Sequence, residues 1–188
     1  MKPSVIIKPA VILFIVAAIT VALLSIVHSI TLEPIENQAR NVRESAAREV
    51  LPFASDIEEI EIEEFNGVTR VFAGMNDSQL VGYAVEAFQR GYSGQIDVMV
   101  GISIESEAIT GMRIIRHTET PGLGSLAARE SFYGQFTDAP LVPLRVVRSA
   151  SNSDEIDSLT GATITAVAIT DAVNRAIEWY NEKGVGIR

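Results

Sequence analysis

The 188-residue chain contains no cysteine. That removes disulfides, thiolate-held iron–sulfur clusters, thiolate zinc sites and any flavin or haem attached through sulfur, so redox work here needs a cofactor held by other groups. Histidine is nearly as scarce, with His28 and His117 the two present. His28 falls in an apolar N-terminal run, which leaves His117 alone for acid–base chemistry elsewhere. With no G-x-S-x-G and no serine placed beside a base, a Ser/His/Asp hydrolase is set aside. Positive charge is thin as well. Past residue 30 the chain carries 13 basic against 24 acidic side chains, and a domain of that sign repels phosphate backbones, which argues against a nucleic-acid partner.

What is present begins with "PAVILFIVAAITVALLSIVHSI", Pro9 to Ile30, which has no formal charge. At about 1.5 Å per residue, such a helix crosses a hydrocarbon core of about 30 Å. A cleaved signal peptide is the competing reading, but its apolar core runs only about 7–15 residues and ends in a small-x-small exit that is missing here. Residues 9–30 are therefore read as a retained transmembrane helix. Lys2 and Lys8 precede it while Glu33 and Glu36 follow, which puts residues 1–8 in the cytoplasm and the acidic domain outside the cell (inner) membrane. His28 reads as an interfacial residue, and Thr20 and Ser25 can bond to the preceding helical turn.

Residues 31–52 then read as an amphipathic stalk helix. Pro34 sits in its first turn and Ile35, Ala39, Val42, Ala46 and Val50 recur by threes and fours. In residues 53–188, strands are expected at 55–65, 68–72, 80–88, 96–104, 108–117 and 144–148, a short helix at 125–132, and a closing helix from Thr163 to Glu182. Strands in the middle with helices at the ends give an α+β domain with a mainly antiparallel sheet and flanking helices.

Three stretches could carry chemistry. In "DSLTGATITAVAITDAVNRAIEWY" (157–180), Thr163 falls at the start of the last helix, where unpaired N–H groups and the helix dipole favour an anion such as phosphate. Helix capping by threonine satisfies the same pattern. In "HTETPGLG" (117–124), Pro121-Gly122 signals a type II turn whose backbone can approach a planar ligand, and a plain structural turn fits equally. His117 and Glu119 lack a third ligand at metal-site spacing. In "QRGYSGQI" (89–96), Gly91 and Gly94 suit a hairpin, and Tyr92 either stacks on an aromatic ligand or fills a core corner.

Taken together and in this order, the anchor, "GYSG", the "VMVGI" strand, "HTETPGLG" and "SLTGATITA" resemble the G subunit of the Rnf ion-translocating electron-transport complex. They are also similar to the C subunit of the sodium-pumping NADH:quinone oxidoreductase. The resemblance covers essentially the whole chain and implies covalent FMN, carried as a phosphoester on the last threonine of the S/T-G-A-T motif, here Thr163. It further implies a flavin transferase that recognises Asp157, Thr160, Gly161, Ala162 and Thr163, and flavin contacts from Thr160, Gly161, Ala162, Glu119, Thr120, Gly122, Leu123, Gly124 and Tyr92. One departure is Ala166, where relatives often carry serine. The implied function is electron relay within an Rnf-type complex that moves Na+ or H+, with other membrane and peripheral subunits as partners and no independent substrate turnover. An extracytoplasmic FMN-binding redox sensor or binding module is the alternative.

Overall fold

A computed structural model describes residues 4–77 and 79–186, with side chains from residue 7; Lys2 of the N-terminal charge argument lies outside the described residues. The chain divides into two compact units at Asn41/Val42. The described residues of the first are all helical. They belong to helix α1, Ser4–Val50, which passes through Pro9 and Pro34 without ending. The sequence places a helix start at Pro34; the structure instead carries one helix past it, so the ring's missing N–H costs a single bond to the carbonyl one turn earlier. Within this unit the hydroxyls of Thr20 and Ser29 donate back to Val16 and Ser25 carbonyls at 2.9 Å. The apolar side chains from Val11 to Leu32 are exposed, and the helix is long and apolar enough to cross a membrane.

The second unit is built on a five-stranded antiparallel meander in the order β1-β2-β3-β4-β5. Its strands are β1 (Asp56–Ile60), β2 (Val68–Asn76), β3 (Gln79–Arg90), β4 (Gln95–Ser103) and β5 (Ala108–Arg116). The expected strand over 55–65 stops at Ile60, and Ile62 and Phe65 reach the core from irregular backbone. The closing helix α3 runs Thr163–Glu182 as expected. Its stripe of Ala166, Ile169, Val173 and Ile177 packs with Tyr83, Val85, Ile96, Val98, Val100 and Ile102 of the sheet.

The alternation in β4 suggests one apolar face against smaller and polar residues, yet both faces are buried. The reason is the end of α1. Ala46, Ala47, Val50 and Leu51 cover Phe72, Ala84 and Met99 on the sheet's other side. Contact there is close enough that a Cβ on Gly101 would lie 2.2 Å from the Val50 carbonyl oxygen, and the Thr110 hydroxyl donates to that same oxygen. The α+β class, with its mainly antiparallel sheet and flanking helices, holds. The helix expected at 125–132 is broken up: a 3-10 turn at Gly124–Ala128 precedes α2 (Glu130–Tyr133), and a second 3-10 turn follows at Gly134–Phe136. Buried Ala127, Phe132 and Phe136 pin these turns to the core. Strand β6 (Arg145–Val147) finds a parallel partner in β7 (Glu155–Asp157), which has no sequence signal of its own.

Charged groups fasten α1 to the sheet. Arg43 Nε donates to both Glu86 oxygens at 3.1 Å, and Arg70 stands 3.7 Å from the same carboxylate. Burial lifts the Glu86 carboxyl above its ordinary range, while Arg43 and Arg70 pull the other way. A carboxyl raised in the folded state contributes stability fully present below its unfolded value and lost as pH rises through the folded one. In Glu86→Gln that loss is absent, so thermal unfolding of the detergent-solubilised chain should show the variant improving relative to wild type as pH climbs from the acid range towards neutrality. A gap between the two that stays constant with pH counts against this account.

Candidate functional site

Strand β5 delivers the first loop. Asp97 pairs with Arg116 and Val98 with Ile114, so Ile115 is an extra residue that shifts the register just before His117. The Arg116 guanidinium holds the buried Asp97 carboxylate at 2.8 Å. The chain then turns through Thr120–Leu123, closed by the Leu123 N–H to the Thr120 carbonyl at 3.2 Å, with Gly122 at φ +78. Position i+2 of a type II turn requires that sign of φ, which explains the Pro-Gly pair. A second loop links β3 to β4, where the Gly91 N–H donates to Gly94 O at 2.7 Å and Tyr92 stands 73% exposed. Tyr92 is thus no core residue.

The third element is the start of α3. Gly161, at φ +77, turns the chain so that Ala162 becomes the N-cap, and no side chain caps the helix. Thr163 is the first helical residue and is exposed. The first backbone bond of the helix is Ala166 N–H to Ala162 O at 3.1 Å, so the N–H groups of Thr163, Ile164 and Thr165 have no intrahelical acceptor. Capping by threonine, the simplest reading of the sequence here, is therefore not what the structure contains.

The three elements enclose a cleft of about 410 Å³ lined by Tyr92, Glu119, Thr120, Leu123, Gly124, Gly161, Ala162, Thr163, Ile164 and Thr165. Of the residues singled out in the sequence, Thr160 and Gly122 lie outside that lining, and Asp157 is placed on β7, where its carboxylate accepts the Ala150 N–H at 2.5 Å. Ile164 is an addition that the motifs do not single out, and Thr165, which helical spacing puts in the first turn with Thr163, is not among the implied flavin contacts. Helical position is their only sequence signal, since N2 and N3 share the helix mouth with N1. Ahead of the Thr-Gly-Ala-Thr turn, the Ser151 N–H holds the Glu155 carboxyl below its usual range, with Asn152 and Arg145 adding to the effect.

The cleft suits a phosphorylated planar ligand. Free N–H groups at the mouth of a 20-residue helix and its dipole favour an anion, and exposed Leu123, Ile164 and Tyr92 supply apolar surface for a ring. Fold and site together define an FMN-binding domain: a family model of that description matches residues 91–178, and one for the RnfG N-terminal region matches residues 1–50. The chain is 33% identical to the G subunit of the ion-translocating oxidoreductase complex of Methanosarcina acetivorans, across 93% of this chain and 94% of that one. It is also 33% identical to the G subunit of the Na+-translocating ferredoxin:NAD+ oxidoreductase complex of Acetobacterium woodii, across 94% and 92%. The crystal structure of Shewanella oneidensis NqrC shares the fold at a TM-score of 0.56 and 18% identity, over 75% of this chain and 92% of that one. The protein belongs to the RnfG family, the G subunits of ion-translocating oxidoreductase complexes, and it is anchored to the membrane by α1.

Two glycines of the "PGLG" turn are held for different reasons. A Cβ on Gly124 would meet Glu119 Oε2 at 2.5 Å and Thr165 Oγ1 at 2.7 Å, whereas Gly122 has nothing within 4 Å and is fixed by its φ alone. Gly122→Ala should cost about 1–2 kcal/mol from backbone strain. Gly124→Ala should cost about 1–3 kcal/mol from overpacking and also shrink the cleft, so that it lowers FMN incorporation while Gly122→Ala leaves incorporation near wild type. Melting curves together with flavin content per chain after native gel filtration separate the two effects.

Proposed function

We propose that this chain is the flavoprotein subunit that passes electrons between other redox carriers of an Rnf-type complex, through FMN esterified to Thr163. The observation that carries it is the uncapped start of α3: an exposed threonine at N1, three N–H groups without helical acceptors, and an apolar-walled cleft against them. When bound, FMN supplies one- and two-electron redox chemistry. The N–H groups of Thr163, Ile164 and Thr165 would receive the phosphate, and Leu123, Ile164 and Tyr92 would offer apolar surface to the ring.

Attachment needs a partner. A threonine hydroxyl is a weak nucleophile without an adjacent base, so a flavin transferase using FAD completes the site. Thr163 Oγ1 bonds to the phosphorus of the FMN half while the pyrophosphate bond breaks, AMP leaves and the hydroxyl proton passes to the transferase. Asp157, Thr160, Gly161 and Ala162 make up its recognition sequence. In this reading the N-terminus is cytoplasmic and the domain extracytoplasmic, the chain turns over no dissociable substrate alone, and the assembled complex couples electron flow to ion movement.

Expression with and without an active transferase, followed by intact mass and in-gel flavin fluorescence, tests the central step. Wild type should gain the mass of FMN less one water, Thr163→Ser should retain the gain, and Thr163→Ala should lose it entirely. An unmodified wild type beside a modified control substrate would overturn the assignment. Copurification addresses the sensor alternative, because a member of a translocating complex brings polytopic membrane partners with it.

A further inference from the structure

Glu119 is 6% exposed although it lines the cleft. Both oxygens of its carboxylate accept hydrogen bonds from the protein. Oε1 accepts the Ser93 N–H at 2.9 Å, and Oε2 accepts the Thr165 hydroxyl at 2.6 Å. Its own N–H donates to His117 Nδ1 at 3.2 Å. Two glycines make room for it: a Cβ on Gly91 would lie 2.6 Å from Oε1, and one on Gly124 2.5 Å from Oε2. One side chain therefore ties together the β3–β4 turn that carries Tyr92, the Pro-Gly loop and the first turn of α3. Thr165 is 1% exposed and stands two residues after Thr163, on the same helical turn.

We propose that Glu119 is the positioning residue for attachment at Thr163, acting through Thr165. Given the ester assignment above, on which this rests, the Glu119–Thr165 bond holds the first turn of α3 so that the Thr163 hydroxyl and the free N–H groups face the cleft in one arrangement. The same bond occupies the Thr165 proton and buries that hydroxyl, which leaves Thr163 as the threonine of the first helical turn offered to a transferase. Charge matters here. An ionised carboxylate accepts from both the Ser93 N–H and the Thr165 O–H. Glutamine keeps one acceptor oxygen and turns donors towards the other partner, so the Thr165 hydroxyl must accept and send its proton elsewhere.

The test uses the full-length chain in detergent, made without a transferase, as wild type, Glu119→Gln, Thr165→Val, Thr165→Ser and the Glu119→Gln/Thr165→Val double variant. The first readout needs no flavin: amide hydrogen exchange should rise in segments 91–94 and 160–166 of Glu119→Gln and Thr165→Val, and stay at the wild-type level in Thr165→Ser. Purified transferase and FAD then give the rate of FMN attachment. Losing a hydrogen bond to a charged group should slow it about tenfold or more in Glu119→Gln and Thr165→Val. Thr165→Ser should keep the wild-type rate, and the double variant should be no slower than either single one.

Unchanged exchange, equal rates for Thr165→Val and Thr165→Ser, or additive losses in the double variant would overturn the proposal. If Glu119→Gln does not fold, the Thr165 pair decides by itself. If wild type takes no FMN while exchange changes as expected, the Glu119–Thr165 bond still orders the first turn of α3, but its role in attachment falls together with the ester assignment.

Discussion

A five-stranded sheet that is apolar on both faces has to be covered twice, and the rest of this domain follows from how that is done. The long helix α3 covers one face through a stripe of small and branched residues. The end of α1 covers the other, with its terminal carbonyl pressed onto Gly101 and received by Thr110. Neither helix is an accessory. Each large side chain buried between such layers is worth roughly 1.5–3 kcal/mol, and β4 contributes to both cores at once. The Arg43–Glu86 pair works in the same interface. Removing one partner of such a pair leaves the other charge under-compensated, so its value lies more in fixing the docking than in net stability.

The position of α3 then creates the site. Laid across β3 and β4, the helix brings its N-terminus beside the β3–β4 turn and the loop that leaves β5, both of which line the same cleft. Three sequence-distant segments meet there because the meander returns its turns to one end of the sheet. Burying a carboxylate at that junction would cost several kcal/mol if it were unpaired. Glu119 avoids this by accepting from Ser93 and Thr165, and among the described residues no buried side-chain nitrogen or oxygen lacks a partner. A charge satisfied by donors from two other segments makes their meeting more specific than apolar packing alone would.

Much of this is legible in the sequence, and the gaps have physical causes. Long periodic segments, α3 and the β4–β5 hairpin above all, carry their own signal in residue spacing. Pro121-Gly122 specifies its turn because the required φ is nearly a glycine property. Three things are hidden. β7 is three residues long and exists by pairing with β6, so no local pattern announces it. The second buried face of β4 depends on a helix end far off in sequence. The role of Thr163 turns on whether the N-cap is residue 162 or 163, a one-residue distinction that pattern alone does not resolve. The partnership of Glu119 with Ser93 and Thr165 is likewise a long-range fact, spanning 26 and 46 residues.

The energetics of the cleft give a reason for a covalent bond. A helix N-terminus stabilises an anion by about 0.3–1 kcal/mol when exposed and up to about 2 kcal/mol in good geometry, a factor of roughly 30 at most in affinity. Here the phosphate would sit in a markedly acidic domain with a buried carboxylate in the same cleft wall, so part of even that gain is lost. Holding a cofactor at nanomolar concentration takes about 12 kcal/mol, and the apolar surface on offer comes from exposed side chains around an open cleft. Attraction alone would leave the ligand exchanging with solvent. The proposed ester at the first residue of the helix would remove the need for affinity, because the chain itself would hold the phosphate against the N–H groups. The ring could then be gripped lightly, as would suit the proposed relay of electrons from one carrier to another.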